Sequence, residues 1–419
     1  MILVKGAVLS QNSVFFSNFD IKKDVVIVGY TFFLVSLALE FYVNEFRTFA
    51  LITLFVNLKY SPSLRIRMLD SNFLKVSLLF PVIAVFAWTL GPFGSGGLKT
   101  FDWLFCLAIG SAVAVERPRL AVFFLLIIPI VTIFASFFSY MQYYFGFTQF
   151  EEFFINKNRL RLYNESTNRM GLTFAFGFSV CCGLVSMKTA YRKYIALLIP
   201  VFIYLCWMTQ SRSAFFAVAV VAIVGVWVDV RLHNRRWNWL LFATAAIAFI
   251  GVAILFENNR IIRTLTSGSL DYLLSGRWDI WRAAWEIFQK SPIFGFGVDS
   301  FHDTLGEHLT MPGNAKRFPG LPVPNIFWNA HQIVLGILAE MGLAGLSLFV
   351  YLVIRGLRIG FANSPETLAP LFMLIAYIVA GIGGYGFHRS WNSAFFFLSL
   401  GLIEGVYMAK SACLHKQDL

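Results

Sequence analysis

Charge is what this chain has least of. Only 13% of its 419 residues are Asp, Glu, Lys or Arg, while 58% are hydrophobic and 47 are Phe. A soluble domain carries roughly a quarter charged residues, so the shortage excludes an ordinary water-soluble globule. It excludes a disordered chain as well, because disorder needs low hydrophobicity. Cysteine is scarce too. Five are too few for a disulfide framework, and Cys106, Cys181, Cys182 and Cys206 fall inside apolar stretches, where each serves as a small hydrophobe. Also missing are a fixed-period repeat and a low-complexity tract. No His/Cys/Asp spacing reads as zinc and no carboxylate cluster reads as a divalent-metal site, so neither metal nor cofactor is expected. A cleavable signal peptide is not expected: the first apolar run starts only after Lys22, Lys23 and Asp24 and is long enough to stay in the membrane.

What is present is a succession of apolar runs of membrane-spanning length. They do not alternate apolar with polar, so they are helices and not barrel strands. The expected fold is all-α and polytopic. About twelve transmembrane helices are placed near 25–43, 46–58, 73–90, 100–115, 119–142, 170–187, 193–209, 213–229, 238–256, 333–354, 366–386 and 391–408. The net charge of +12 is not a nucleic-acid footprint, because the basic residues lie in short clusters between apolar runs. Those at Lys22/Lys23, Lys59/Arg65/Arg67, Arg117/Arg119, Lys188/Arg192/Lys193, Arg231/Arg235/Arg236 and Arg355/Arg358 mark inner loops. Both termini are then cytoplasmic. Transmembrane helices fill 1–256, a helical periplasmic loop subdomain fills 257–332, and three further helices with a cytoplasmic tail fill 333–419.

The outer segments hold the candidate chemistry. Trp278, Trp281 and Trp285 at i, i+3 and i+7 put three indoles on one helix face, suited to the membrane interface or to packing. Arg277 starts that helix with only apolar neighbours at i+3 and i+4. A guanidinium beside a helix N-terminus suits a phosphate, since dipole and charge act together. Arg282 differs: Asp279 and Glu286 are spaced to pair with it, which makes it structural first and a phosphate ligand second. Arg212 occupies a tight outer turn, Thr209-Gln-Ser-Arg-Ser213. Arg159, Arg161 and Arg169, with Asn168, form another basic outer segment that Glu151, Glu152 and Glu165 partly offset. His331, in Asn329-Ala-His-Gln332, stands where the outer segment enters a span, and its imidazole can exchange a proton near neutrality. His388 and Arg389 lie in a second outer turn, while His302 and His308 read as loop residues. The Gly295-Phe-Gly297 sequence is too weak a signal for nucleotide binding.

Several of these stretches together carry a resemblance: Ser275-Gly-Arg-Trp-Asp-Ile-Trp281, Ser291-Pro-Ile-Phe-Gly-Phe-Gly297, Asn329-Ala-His331 and Leu338-Ala-Glu-Met-Gly-Leu-Ala-Gly345. With the Thr209-to-Arg212 turn and the Asn168-Arg169 segment, the chain resembles the O-antigen ligase/polymerase family of bacterial inner membranes. Gln332 departs from the family pattern, which often has Asn there. The resemblance implies a metal-independent, inverting glycosyltransferase whose active site faces the periplasm. O-antigen would pass from undecaprenyl diphosphate to a sugar hydroxyl of lipid A–core. His331, Arg277 and Arg212 would be the catalytic set, and Arg159, Arg161, Arg169, Asn168 and Arg282 would bind the donor diphosphate. His388, Arg389 and Asn329 would serve the acceptor or a secondary role, with membrane lipids as the other partner and no nucleic acid.

Two alternatives remain on sequence grounds. The polymerase branch of the same family joins O-units to one another and shares these motifs. A transporter or flippase also suits twelve spans, but such proteins keep charged or broken-helix sites at mid-membrane, often in two related halves. Here the spans hold little charge beyond Glu40, Glu340 and Glu404, and the halves are dissimilar.

Overall fold

The computed structural model describes residues 30–31, 33–35, 59, 71–90, 99–134, 137, 167–187, 191–233, 277–319, 321, 329–362, 364–384 and 390–415. Every regular element among them is helical: α1 (Asn72–Ser77), α2 (Leu79–Leu90), α3 (Lys99–Glu116), α4 (Pro118–Phe124), α5 (Thr167–Ser186), α6 (Arg192–Thr209) and α7 (Arg212–His233) come first. After these come α8 (Trp278–Lys290), α9 (Phe301–Thr310), α10 (Asn314–Arg317), α11 (Ile333–Gly360), α12 (Leu368–Gly383) and α13 (Ser390–His415). Among the described residues, five stretches are long and apolar enough to cross a membrane: Arg192–Thr209, Arg212–Arg231, Ile333–Gly360, Pro365–Gly383 and Ser393–Ser411. The runs expected at 46–58 and 238–256, and most of 25–43, lie outside the described residues.

Helix α5 is central. It packs against α6, α7 and α12, and α3 runs along α13. The α3–α13 seam is close because Gly401 sits over a backbone; a Cβ there would lie 2.2 Å from the Leu107 carbonyl oxygen. Small residues let helices approach in this way. Large rings fill the rest, with Trp103 stacked on Phe397 at 5.6 Å and Phe176 against Phe395 at 4.5 Å.

One expectation about charge changes. Arg355 and Arg358 belong to α11, which continues to Gly360, and not to a loop. Arg355 pairs with the buried carboxylate of Glu404 on α13 at 2.9 Å, and Ser71 donates to the same carboxylate at 3.3 Å. The pair therefore ties α11 and α13 to the start of α1. Near the same ends, Glu366 accepts from Arg119 at 3.3 Å and from Lys410 at 3.1 Å.

Helix α11 is not the plain span expected. Gly342 has φ 62 and ψ −160, so the helix breaks there. The break exposes backbone groups, and the Ser291–Gly297 stretch satisfies them. Phe296 and Gly297 donate to the carbonyls of Ala339 and Glu340 at 3.1 and 2.9 Å, and Leu343 and Ala344 donate to those of Pro292 and Ile293 at 2.9 and 3.0 Å. Two of the recognised motifs are thus the two halves of one backbone clasp. Glycine is required on both sides, because Gly295 (φ 69) and Gly342 would each drive a Cβ into the opposite backbone at 2.4 and 2.3 Å.

A second apolar core forms under α8 and α9. Ile280, Ala283, Ala284 and Ile287 meet Phe301, Leu305, Phe318 and, from α11, Ala339. Its register sets the indoles apart: Trp278 and Trp285 are 56% and 47% exposed, whereas Trp281 packs on the core.

Candidate functional site

The turn between α6 and α7 takes only two residues. Gln210 closes α6 in the left-handed conformation, φ 52, and Ser211 is fully buried before Arg212 opens α7. The Thr209 hydroxyl donates to the Cys206 carbonyl at 2.7 Å and accepts from the Ser211 N–H at 3.3 Å, which holds the reversal tight. This brings Arg212 to the first position of a 22-residue helix.

Arg212 lines a cavity of about 270 Å³. Its polar side is made by Asn168, Gln210, Arg212, Ser213 and Arg277, with Trp281 beside them; Phe216, Val379 and Ile382 make the apolar side, next to Gly383. Asn168 is in the first turn of α5, Arg212 starts α7, and Arg277 is the residue before α8. Three helix N-termini therefore border one cavity together with two guanidinium groups. Each terminus contributes about half a positive charge and backbone N–H groups not used within the helix, so the space attracts anions. The Trp281 indole N–H is buried and has no hydrogen-bond partner among the described residues, a rare condition for a buried donor.

Arg277 has a partner that its neighbours in sequence do not show. Its guanidinium donates to the Gly383 carbonyl at the C-terminal end of α12, where backbone carbonyls have no helical partner. A guanidinium has five N–H donors, and this bond uses one of them. His331 meets the next carbonyl: its Nδ1 lies 3.4 Å from the Gly384 oxygen. Arg277 and His331, 54 positions apart in sequence, are thus gathered at consecutive peptide groups. Gly384 fits there because a Cβ would lie 2.6 Å from the Ser213 hydroxyl.

His331 has φ 51, and the cap of α11 is Gln332, whose side chain accepts from the Leu335 N–H. Arg282 stands apart from the cavity: it lies 3.7 Å from Asp279 and over the Phe318 ring at 5.3 Å. Glu286 does not pair with it as the spacing had allowed. That carboxylate takes Arg317 at 2.7 Å and His308 at 3.2 Å instead. Arg159, Arg161, His388 and Arg389 lie outside the described residues, as does the side chain of Arg169.

His308 is not a loop residue. It sits on α9, 3% exposed, with Nδ1 3.0 Å from Lys290 Nζ and Nε2 3.2 Å from Glu286. Burial, reinforced by the Lys290 charge, pushes its pKa below the ordinary value near 6.5, against the opposing pull of Glu286. The neutral ring accepts from lysine at Nδ1 and donates to glutamate from Nε2, which pins α8 to α9.

Sequence reasoning missed Gln210, Ser213, Phe216, Val379, Ile382 and Gly383 as cavity residues and gave Trp281 only a packing role. Gln210 and Ser213 were within reach, being in the same turn as Arg212; Phe216 follows Arg212 by four and shares its face. For Val379, Ile382 and Gly383 no local signal exists, since they enter by the docking of α12. Among the described residues, no group of three His, Cys, Asp or Glu could hold a metal ion.

Comparison with known proteins bears on residues 195–350, which match the family model described as O-Antigen ligase. The matched region includes Arg212, Arg277 and His331 and supports the family resemblance of the motifs. No curated protein matches the chain.

Proposed function

We propose that this multi-pass membrane protein, which carries the O-antigen ligase family domain, transfers O-antigen from undecaprenyl diphosphate to a sugar hydroxyl of lipid A–core at the periplasmic face of the inner membrane. The observation that carries this reading is the cavity where Arg212 and Arg277 meet three helix N-termini. A lipid-linked donor has a diphosphate between a glycan and an apolar tail, and the cavity has the matching polarity. Phe216 and Ile382, which make its apolar side, are 56% and 52% exposed, so that side opens toward lipid.

In the reaction, the acceptor oxygen attacks the anomeric carbon from the face opposite the diphosphate. The bond from that carbon to the diphosphate oxygen breaks, and the configuration inverts. Negative charge grows on the leaving diphosphate, and Arg212, Arg277 and the helix termini stabilise it more in the transition state than before. That positive charge does the electrostatic part that a divalent cation performs elsewhere. His331 takes the proton from the acceptor hydroxyl. Asn168 adds a polar contact to the donor, with Arg159, Arg161 and Arg169 as further members of the basic set. Arg282 is weaker in this role, given its Asp279 and Phe318 contacts.

The test is transfer of polymer to lipid A–core in membranes bearing Arg212→Ala, Arg277→Ala or His331→Ala at normal expression. Loss of the ladder in each supports the reading; near-normal ladders would remove the roles. In a deletion strain, accumulation of lipid-linked polymer identifies a ligase, whereas single-unit capping identifies a polymerase.

A further inference from the structure

The Asn329 side chain accepts a hydrogen bond at Oδ1 from the backbone N–H of His331, at 2.8 Å, and the residue is 6% exposed. We propose that Asn329 is a positioning residue for His331 and not a group that touches the acceptor sugar. The assignment rests on His331 as the base of the proposed transfer. A side chain bonding the backbone two residues on is the Asx-turn pattern, and here it fixes a left-handed residue. His adopts φ near +50 more readily than most residues, yet the conformation still needs something to hold it. The next residue supplies a second hold: Gln332 Oε1 accepts from the Leu335 N–H and starts α11. His331 is therefore clasped between two side-chain-to-backbone bonds that fix its Cα–Cβ direction.

The ring has its own hold. A carbonyl oxygen only accepts, so the contact of Nδ1 with the Gly384 oxygen puts the proton of the neutral imidazole on Nδ1. Nε2 is then the basic nitrogen, the one able to take a proton from a hydroxyl. Asn329 sets where the ring stands, Gly384 sets which nitrogen is basic, and neither needs to touch substrate. The 329–332 stretch thus reads as one device, in which Gln332 performs a cap.

Asp and Ala at position 329 separate positioning from substrate contact. Asp keeps the accepting oxygen and lacks the amide N–H donors; Ala keeps neither. In full-length protein, Asn329→Asp is expected to retain transfer within about threefold of wild type. Asn329→Ala is expected to lose about tenfold or more in kcat, with the acceptor KM within about twofold, as for loss of one positioning hydrogen bond. Hydrogen exchange at the His331 amide reads the bond whatever reaction the protein performs: slow in wild type and Asn329→Asp, faster in Asn329→Ala. The proposal is overturned if Asn329→Asp keeps the slow exchange but loses transfer as heavily as Asn329→Ala, because the amide N–H groups would then be what matters. It is equally overturned if Asn329→Ala leaves the exchange slow. Normal transfer by His331→Ala would overturn the base itself, while slow exchange that depends on Asn329 would still report the turn.

Discussion

Arg277 shows how much a single side chain is asked to do. It caps the end of α12 through the Gly383 carbonyl and borders the cavity with Arg212. A lysine keeps the charge but loses the planar fork, so Arg277→Lys should separate the two duties. A charge-assisted hydrogen bond contributes about 1.5–3 kcal/mol, so transfer by Arg277→Lys should fall by roughly 10- to 100-fold while expression holds. A ladder assay on membranes measures it; full activity would show that point charge suffices. His308 gives a second residue-level prediction. Its folded pKa is depressed, so below about 6.5 the unfolded chain binds the proton more readily than the folded one. Stability of the α8–α10 unit is complete above the unfolded value and is lost as pH falls toward the folded one. Hydrogen exchange over 301–318, corrected for intrinsic rates, should rise more between pH 7.5 and 5.5 in wild type than in His308→Gln. An equal rise in both would remove the histidine from the account.

At the scale of elements, the broken helix explains two motifs that sequence reading could only match by resemblance. Leu338–Gly345 and Ser291–Gly297 exchange four backbone hydrogen bonds, and that exchange docks α8 beside the break in α11. Arg277 and His331 flank this arrangement at the two helix starts. A β-carbon at Gly342 or Gly295 meets backbone, which cannot swing aside, and the left-handed φ adds its own penalty. A positive φ with ψ −160 is open to almost no residue but glycine and costs roughly 1–3 kcal/mol, and overpacking costs roughly 1–3, so Gly342→Ala should destabilise by on the order of 2–6 kcal/mol. Thermal unfolding in detergent should show a lower midpoint, accompanied by lost transfer. An unchanged midpoint would mean that the clasp is loose.

At the scale of the molecule, the ion pair between Arg355 on α11 and Glu404 on α13 joins segments 49 residues apart in sequence. Glu404 is 3% exposed and pairs with Arg355, whose side chain keeps 30% exposure. Removing one partner of a buried pair costs about 3–5 kcal/mol; the partial exposure of Arg355 places Glu404→Ala near the lower value. The double change Arg355→Met with Glu404→Leu should recover most of that loss, because no buried charge is then left without its counter-ion. Recovery is read from the unfolding midpoints of the two single variants and the double. If the double variant is no better than Glu404→Ala, the pair holds the helices by more than mutual neutralisation.

The sequence by itself determined the helices, because an apolar run of spanning length is a local property that only a hydrogen-bonded helix can satisfy in lipid. The runs read at 100–115, 170–187, 193–209 and 213–229 fall within a few residues of α3, α5, α6 and α7. The tight turn before Arg212 was legible for the same reason, since two spans with almost nothing between them must reverse at once. What only the tertiary structure decided is which helix ends meet. Asn168, Arg212 and Arg277 come from three separate elements, and no spacing along the chain encodes their convergence. The Gly383 and Gly384 carbonyls became partners for Arg277 and His331 because α12 stops beside them. An orphan carbonyl at a helix end takes whatever donor packing supplies, so the identity of that donor is a fact of docking and not of composition.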